Sequence, residues 1–232
     1  ALDDMLKNNR KALSDRDVSL ISQIVYGVTT WKLTLDEIIK KYSSIKLKKI
    51  SIWIINILRM GIYQIIFLDK IPKSAAVNEC VNLAKRYGHK ASSGFVNAIL
   101  RKVSPDDYLQ LFDVKLPKAE MISKTQSMPL WIIQELLENN TIEEVEEICK
   151  NLNLTPCVSI RVNNVKTTKK ELEEIFNKNL IQYEEGELDD FLILNKAKSI
   201  ENIEGFKEGL FTVQDESAGL TCLVLNPKEG QM

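Results

Sequence analysis

The run from Lys48 to Phe67, KKISIWIINILRMGIYQIIF, is the segment of this chain with the fewest structural options. It is apolar nearly all round, so a helix built from it offers water no face and has to be central, covered by neighbours on several sides. It is not a membrane span. The longest apolar stretch, Ile50 to Leu68, is broken by Asn56, Arg59, Gly61 and Gln64, whereas a span needs about 20 predominantly apolar residues. The segment therefore demands a helical bundle around it.

The flanking sequence supplies one. Ser14 with Asp17 forms an S-x-x-D capping signature, and Val18, Ile21, Val25 and Val28 recur behind it at helical spacing. Leu35, Ile38, Ile39 and Tyr42 make a second stripe. Pro72 sets the first turn of a helix over Lys73 to Tyr87, whose apolar face reads as Ala76, Cys80, Leu83, Ala84 and Tyr87, with Gly88 as a left-handed stop. A helix from Ser92 to Val103 is expected to bury Phe95, Val96, Ile99 and Leu100. Residues 1–123 thus read as an all-α bundle. Between Ser104 and Pro129 the pattern weakens to a connection with one short helix. Helices follow near Leu130–Glu138 and Ile142–Lys150, the second capped by Thr141 with Glu144.

Then the period changes. Cys157 to Val162 alternates with period two and reads as a strand, as do Phe191 to Leu194 and Gly209 to Val213. Thr167 and Thr168 cap a helix over Lys169 to Asn177 between them. A helical linker plus a small α+β domain is expected over 124–213. Asp215 caps a last helix, Glu216 to Leu225.

Charge divides the chain in a similar way. Residues 1–123 carry 20 Lys+Arg against 12 Asp+Glu, a net of +8, and residues 124–232 carry 11 against 20, a net of −9. Opposed halves suggest two units, one facing a polyanion; a merely solvated basic surface is the other reading. Cys80, Cys149, Cys157 and Cys222 lack paired or metal-ligand spacing and read as reduced thiols of a cytoplasmic protein. The polar, acidic start does not read as a signal peptide.

Candidate binding residues cluster on two predicted helices. Asn97 and Arg101 are four apart and share a face, Lys102 follows them, and Asn78, Asn82, Lys85, Arg86 and Lys90 lie on or just after the preceding helix. Amides and guanidinium groups hydrogen-bond phosphates and base edges, so one reading is an RNA-contacting surface. In the other, the asparagines are buried cross-links between helices and Arg101 is solvated. Arg161, on the first strand, and Asn163, just past it, are a second candidate contact. No residue reads as catalytic, cofactor-binding or metal-ligating. His89 lacks a Ser, Cys or carboxylate setting, the nine glycines include no G-x-G, and the Pro156-Cys157 and Thr221-Cys222 dipeptides lack the context of a cysteine nucleophile.

The string LRMGIYQIIFLDKIPKSAAVNECVNLAKRYGHKASSGFVNAILRKV resembles the NusB-like N-terminal domain of bacterial 16S rRNA cytosine-C5 methyltransferases of the RsmB (Sun) type. SDRDVSLISQIVYGVTTWKLTLDEII precedes it as in that family, and PLWIIQEL, SIRVNNVKTTKKEL and EGFKEGLFTVQDESAGL follow in family order. The resemblance covers almost the whole chain, whereas the antitermination factor NusB is similar only to the first half.

The resemblance implies a mainly α protein: a NusB-like RNA-binding bundle over 1–123, then a helical linker and RRM-like α+β domain over 124–213. Residues 214–232 would begin an S-adenosylmethionine-dependent catalytic domain that the chain, starting one helix late, stops short of. The implied parent methylates a cytosine of small-subunit rRNA with S-adenosylmethionine; this chain, binding no cofactor, supplies RNA contacts as a monomer with 16S ribosomal RNA as partner and no membrane. A stand-alone NusB-type antitermination factor is the alternative. Two departures stand out: Gly219 replaces a larger residue and is expected to loosen its helix, and Cys157 falls at a variable place.

Overall fold

In the computed structural model, which describes residues 2–9, 12–112, 115–195, 200–228 and 230, the segment read as central becomes helix α4. Ser51 starts it by accepting from the Ile54 N–H, and it runs over Ile52–Phe67. Ahead of it come α1 (Leu2–Asn8), α2 (Asp15–Thr30), α3 (Lys32–Tyr42) and a 3-10 turn at Leu47–Lys49. After it come α5 (Lys73–Tyr87), α6 (Ser92–Leu100), α7 (Asp106–Leu109), α8 (Lys118–Thr125), α9 (Leu130–Leu136) and α10 (Ile142–Leu152). Where one short helix is expected between Ser104 and Pro129, there are two. The Ser14–Asp17 and Thr141–Glu144 capping boxes are both closed.

The contacts divide the chain into a unit of residues 1–154 and a unit of residues 155–232. The 123/124 boundary read from charge falls inside α8. In the first unit α4 packs Ile54, Leu58 and Ile62 against Leu35, Ile38 and Ile39 of α3, Ala76, Cys80 and Ala84 of α5, and Val96, Ile99 and Leu100 of α6. Burial lifts the Cys80 thiol to about 12, with the Glu79 charge adding to it, so this thiol is inert. A smaller cluster of Ile122, Ile133, Val145 and Cys149 knits α8–α10 together. Thr34 Oγ1 ties α8 to α3 by donating to the Lys124 carbonyl (2.7 Å).

Two ionic links fix α3, one buried and one reaching the surface at Lys41. The Arg59 guanidinium of α4 grips both carboxylate oxygens of Asp36 at 2.8 Å. Asp107, 2% exposed, accepts from Lys41 Nζ (2.6 Å), Tyr42 Oη (2.7 Å) and the Ser104 N–H (2.8 Å). Burial pushes the Asp107 carboxyl up, but the Lys41 ammonium, the Ser104 amide and the Tyr42 hydroxyl together hold it below the ordinary carboxylate value. A depressed folded-state pKa contributes stability that is fully present above the unfolded value of about 4 and is lost as pH falls through the folded value. Asp107→Asn is therefore expected to lose about 1–3 kcal/mol at pH 7. In urea titrations the gap to wild type should narrow below about pH 4; a gap independent of pH would contradict the assignment.

Close approach explains Gly88, against the left-handed stop read from the sequence, and also Gly27. Gly88 has φ −116°, extended rather than left-handed. A Cβ there would lie 2.7 Å from the Ala84 carbonyl and 2.8 Å from Ile54 Cδ1, so the α5–α6 turn sits directly on the start of α4. At Gly27 of α2 a Cβ would fall 2.0 Å from the Tyr63 ring of α4, although no residue of α2 is fully buried.

The second unit is a four-stranded antiparallel sheet, order β2-β3-β1-β4, of β1 (Val158–Val162), β2 (Tyr183–Glu185), β3 (Phe191–Leu194) and β4 (Phe211–Val213). Helix α11 (Lys169–Lys178), opened by a Thr168–Glu171 capping box, connects β1 to β2. Ile160, Val162, Leu192, Leu194 and Phe211 form the core with its Leu172 and Phe176. This is the βαββ core and strand order of a ferredoxin-like or RRM-like domain, with a 3-10 turn at Ile200–Asn202 before β4. The sequence missed β2, a three-residue polar edge strand without alternation.

Arg161 and Phe191 are cross-strand partners on the sheet's other face. There α12 (Glu216–Leu225) seats Gly219 against Phe191, which is 3% exposed; a Cβ at 219 would lie 2.4 Å from the ring. Gly219 therefore tightens its helix onto the sheet rather than loosening it. Beyond that turn Leu223, Val224 and Leu225 are exposed.

Candidate nucleic-acid interface

Residues 40–102 hold 13 of the 31 Lys and Arg residues against two carboxylates, Asp69 and Glu79. The fold concentrates this imbalance further. The α4–α5 hairpin and the α5–α6 turn bring residues 43–56 and 80–92 to one end of the bundle, and these segments contain no Asp or Glu. Lys46, Lys48, Lys49, Lys85, Arg86 and Lys90 are all exposed there. None of the six is paired with a carboxylate among the described residues, whereas Lys40, Lys41, Arg59, Lys118, Lys124 and Lys150 of the same unit are. Lys85 and Arg86 occupy the last turn of α5 and complement its dipole, a structural role compatible with facing a polyanion.

The sequence candidates separate into three places. Lys85, Arg86 and Lys90 are together at the α5–α6 turn. Asn97, Arg101 and Lys102 lie at the far end of α6, a nine-residue helix and so about 14 Å long. Arg161 and Asn163 belong to the other unit.

At the far end of α6, Asn97 Oδ1 accepts from Arg101 Nε (3.0 Å), which fixes the guanidinium on the surface. Asn78 and Asn82 are exposed, so none of these asparagines is a buried cross-link between helices. Lys73 is committed to structure, its ammonium donating to the Arg101 carbonyl at 2.8 Å. In the second unit Arg161 is exposed and donates to Gln214 Oε1 (3.3 Å). The Asn163 amide donates to the Gly209 carbonyl (2.8 Å) while its oxygen accepts from the Val165 N–H (3.3 Å), leaving one amide hydrogen for a ligand.

Two residues missed by the sequence reading complete the basic end of the bundle. Trp53 and Tyr87 stack on each other with ring centroids 5.3 Å apart and planes 16° from parallel, and the Arg86 guanidinium lies 5.4 Å from the Tyr87 centroid. They are 59% and 44% exposed, so Tyr87 is not on the core face assigned to it. Asn56 carried the signal: Ile52 and Trp53, four and three residues before it, share its polar face.

Cys157 and Cys222 are exposed and Cys80 and Cys149 buried. Among the described residues no group of three or more His, Cys, Asp or Glu is placed to hold a metal ion, and no helix is long and apolar enough to cross a membrane.

Comparison with known proteins supplies two domain assignments. The NusB family model matches residues 1–105, and the Methyltr_RsmF/B-like, ferredoxin-like domain matches residues 128–201. A probable ribosomal RNA small subunit methyltransferase B of Bacillus subtilis is 31% identical over 230 residues, covering 99% of this chain and 51% of that protein. The transcription antitermination protein NusB of Ruminiclostridium cellulolyticum is 42% identical over 101 residues, covering 43% of this chain and 70% of the relative. A solved structure described as the crystal structure of PH0851 superimposes with a TM-score of 0.65 at 19% identity, covering 94% of this chain and 49% of that one, a likeness of fold. The chain spans about half the length of the curated methyltransferase relatives it matches.

Proposed function

The chain belongs to the NusB family, and on that premise we propose that it is the RNA-binding N-terminal portion of a small-subunit rRNA (cytosine-C5)-methyltransferase. The observation that carries this reading is the coupling of a NusB domain to an RsmF/B-like ferredoxin-like domain in one chain, aligned over nearly all its length with a methyltransferase B relative. The antitermination protein NusB aligns over 43% of the chain, whereas the methyltransferase B relative aligns over 99%.

In the parent enzyme S-adenosylmethionine supplies the methyl group. The residues here do not fit that cofactor. There is no G-x-G turn to approach a nucleotide, and Cys157 and Cys222 stand exposed at a strand start and on a helix. What these units contribute is grip and orientation of 16S rRNA, so that a target cytosine displaced from its stack meets the reacting groups in register. The basic helical unit holds phosphates through Lys85, Arg86, Lys90, Arg101 and Lys102, with Asn97 steadying Arg101; Arg161 and Asn163 add a second contact.

The full-length protein should place a methyl group on a cytosine of 16S rRNA, read by bisulfite sequencing, while residues 1–232 alone should give neither turnover nor saturable calorimetric binding of S-adenosylmethionine. Full-length protein that leaves every cytosine unmodified would overturn the enzymatic reading. Cys157→Ala and Cys222→Ala should preserve turnover in the full-length enzyme, and since both side chains are exposed should change stability by less than about 0.5 kcal/mol.

Arg101→Ala and Lys102→Ala should weaken binding to a small-subunit rRNA hairpin. Each should lower the slope of log K against log salt by roughly 0.7 on single-stranded RNA. The comparison variants Lys196→Ala and Lys198→Ala, whose positions lie outside the described residues, should change neither. Four variants with equal effects would remove the α6 end from the interface.

A further inference from the structure

We propose that the stacked Trp53–Tyr87 pair is a platform for an unpaired RNA base, held among lysine and arginine side chains that grip the flanking phosphates. The proposal rests on the RNA-binding reading above and specifies the kind of RNA this end of the bundle takes.

The pair joins residues from two helices, Trp53 in the first turn of α4 and Tyr87 in the last of α5. It is not needed to hold those helices together. The hairpin is already closed beneath it, where Gly88 meets Ile54 and where Ile54 and Ala84 sit in the main core. Trp53 keeps 59% of its surface in water after stacking on Tyr87, and Ile52 beside it is 64% exposed. Aromatic area left bare at the rim of a folded unit marks an interaction site when charge says what approaches it.

Here the charge does. Segments 43–56 and 80–92 contribute six exposed, unpaired cations and no carboxylate. A protein surface docking on Trp53 would have to bury or neutralise this charge, whereas single-stranded RNA brings a flat ring and a phosphate on either side of it in each nucleotide. Aromatic planes within basic surroundings are how proteins hold unpaired bases without reading their identity. In a duplex the bases are already stacked on each other and unavailable, so the platform selects unpaired segments.

Stacking and phosphate contact have separable signatures, because only the second releases counterions. The test uses the whole chain, with fluorescence anisotropy of labelled RNAs about 12 nucleotides long: oligo(A), an abasic strand of equal charge, and a duplex. Wild type should prefer oligo(A) over the abasic strand. Trp53→Ala and Tyr87→Ala should each lose affinity for oligo(A) on the order of 10-fold, with an unchanged salt slope and no loss on the abasic strand. Trp53→Phe should retain most of the affinity and Trp53→Leu should not, since leucine keeps apolar area without a stacking plane.

Thermal melts check that the exposed substitutions leave the fold intact; Trp53→Phe provides the readout should the alanine variant unfold. Equal affinity of folded Trp53→Ala and wild type for oligo(A) would overturn the platform while leaving RNA binding in place. So would full binding by Trp53→Leu, which would indicate simple apolar docking. Failure of wild type to bind any of the three RNAs would instead overturn the RNA-binding reading on which the platform rests.

Discussion

Arg59→Ala should destabilise the helical unit by about 3–5 kcal/mol, a large share of the 5–15 kcal/mol that holds a typical domain folded. The Arg59 side chain is 10% exposed and the Asp36 side chain 14%. Nε and Nη2 donate to the two Asp36 oxygens at 2.8 Å each, and Nη1 donates to Asn56 Oδ1 at 3.0 Å. Removing the cation strands a carboxylate in the interior, which is why the loss exceeds the net worth of the pair. Arg59→Lys should recover little, because one ammonium cannot reproduce the fork that engages both oxygens and Asn56. The double variant Arg59→Met with Asp36→Leu should recover most of the loss, since it leaves no charge behind. Urea unfolding midpoints at constant m-value measure all three. A loss below about 1 kcal/mol for Arg59→Ala would mean that the pair behaves as a surface salt bridge.

The second large effect is expected at the basic end of the bundle. Combining Lys85→Ala, Arg86→Ala and Lys90→Ala removes three unpaired cations from the α5–α6 turn. If each neutralises one phosphate of single-stranded RNA, the salt slope falls by about 2 and affinity near 0.1 M salt drops on the order of 100-fold. The first two lie in the last turn of α5, so their removal costs the helix roughly 0.3–1 kcal/mol each through its dipole and leaves it folded. Binding that weakens with the wild-type slope would show that these cations do not touch phosphate.

The helices were legible wherever the controlling physics is local. The capping boxes at Ser14–Asp17 and Thr141–Glu144 need four consecutive residues and both are formed, and the cap read at Thr168 is completed by Glu171. The all-round apolarity of α4 correctly placed it at the centre. Strand β2 was invisible because an edge strand of three residues is stabilised by its neighbour β3, and its own composition carries no alternation. Gly88 and Gly219 were misread because their role is set by Ile54, Ser92 and Phe191, remote in sequence or off the local pattern.

The candidate site divides in the same way. Sequence identified which side chains are cationic, but not that Lys73 would be tied to carbonyls while Lys85, Arg86 and Lys90 stay free. Trp53 looked like one more apolar residue of a buried helix. Its exposure depends on α4 beginning before its neighbours cover it, and its partner Tyr87 is 34 positions away.

Helix α2 has a further consequence for motion. It meets α4 closely at Gly27, under the Tyr63 ring, and contributes only partly buried Ile24 and Val28 to the core. With no fully buried residue of its own, α2 is expected to open sub-globally, uncovering Tyr63, before α3–α6 unfold. Amide hydrogens of α2 should then exchange before those of α4 in native-state hydrogen exchange, and equal protection of the two helices would contradict this. On that expectation α2 opens first, and the α4–α5 hairpin that bears the aromatic pair opens last.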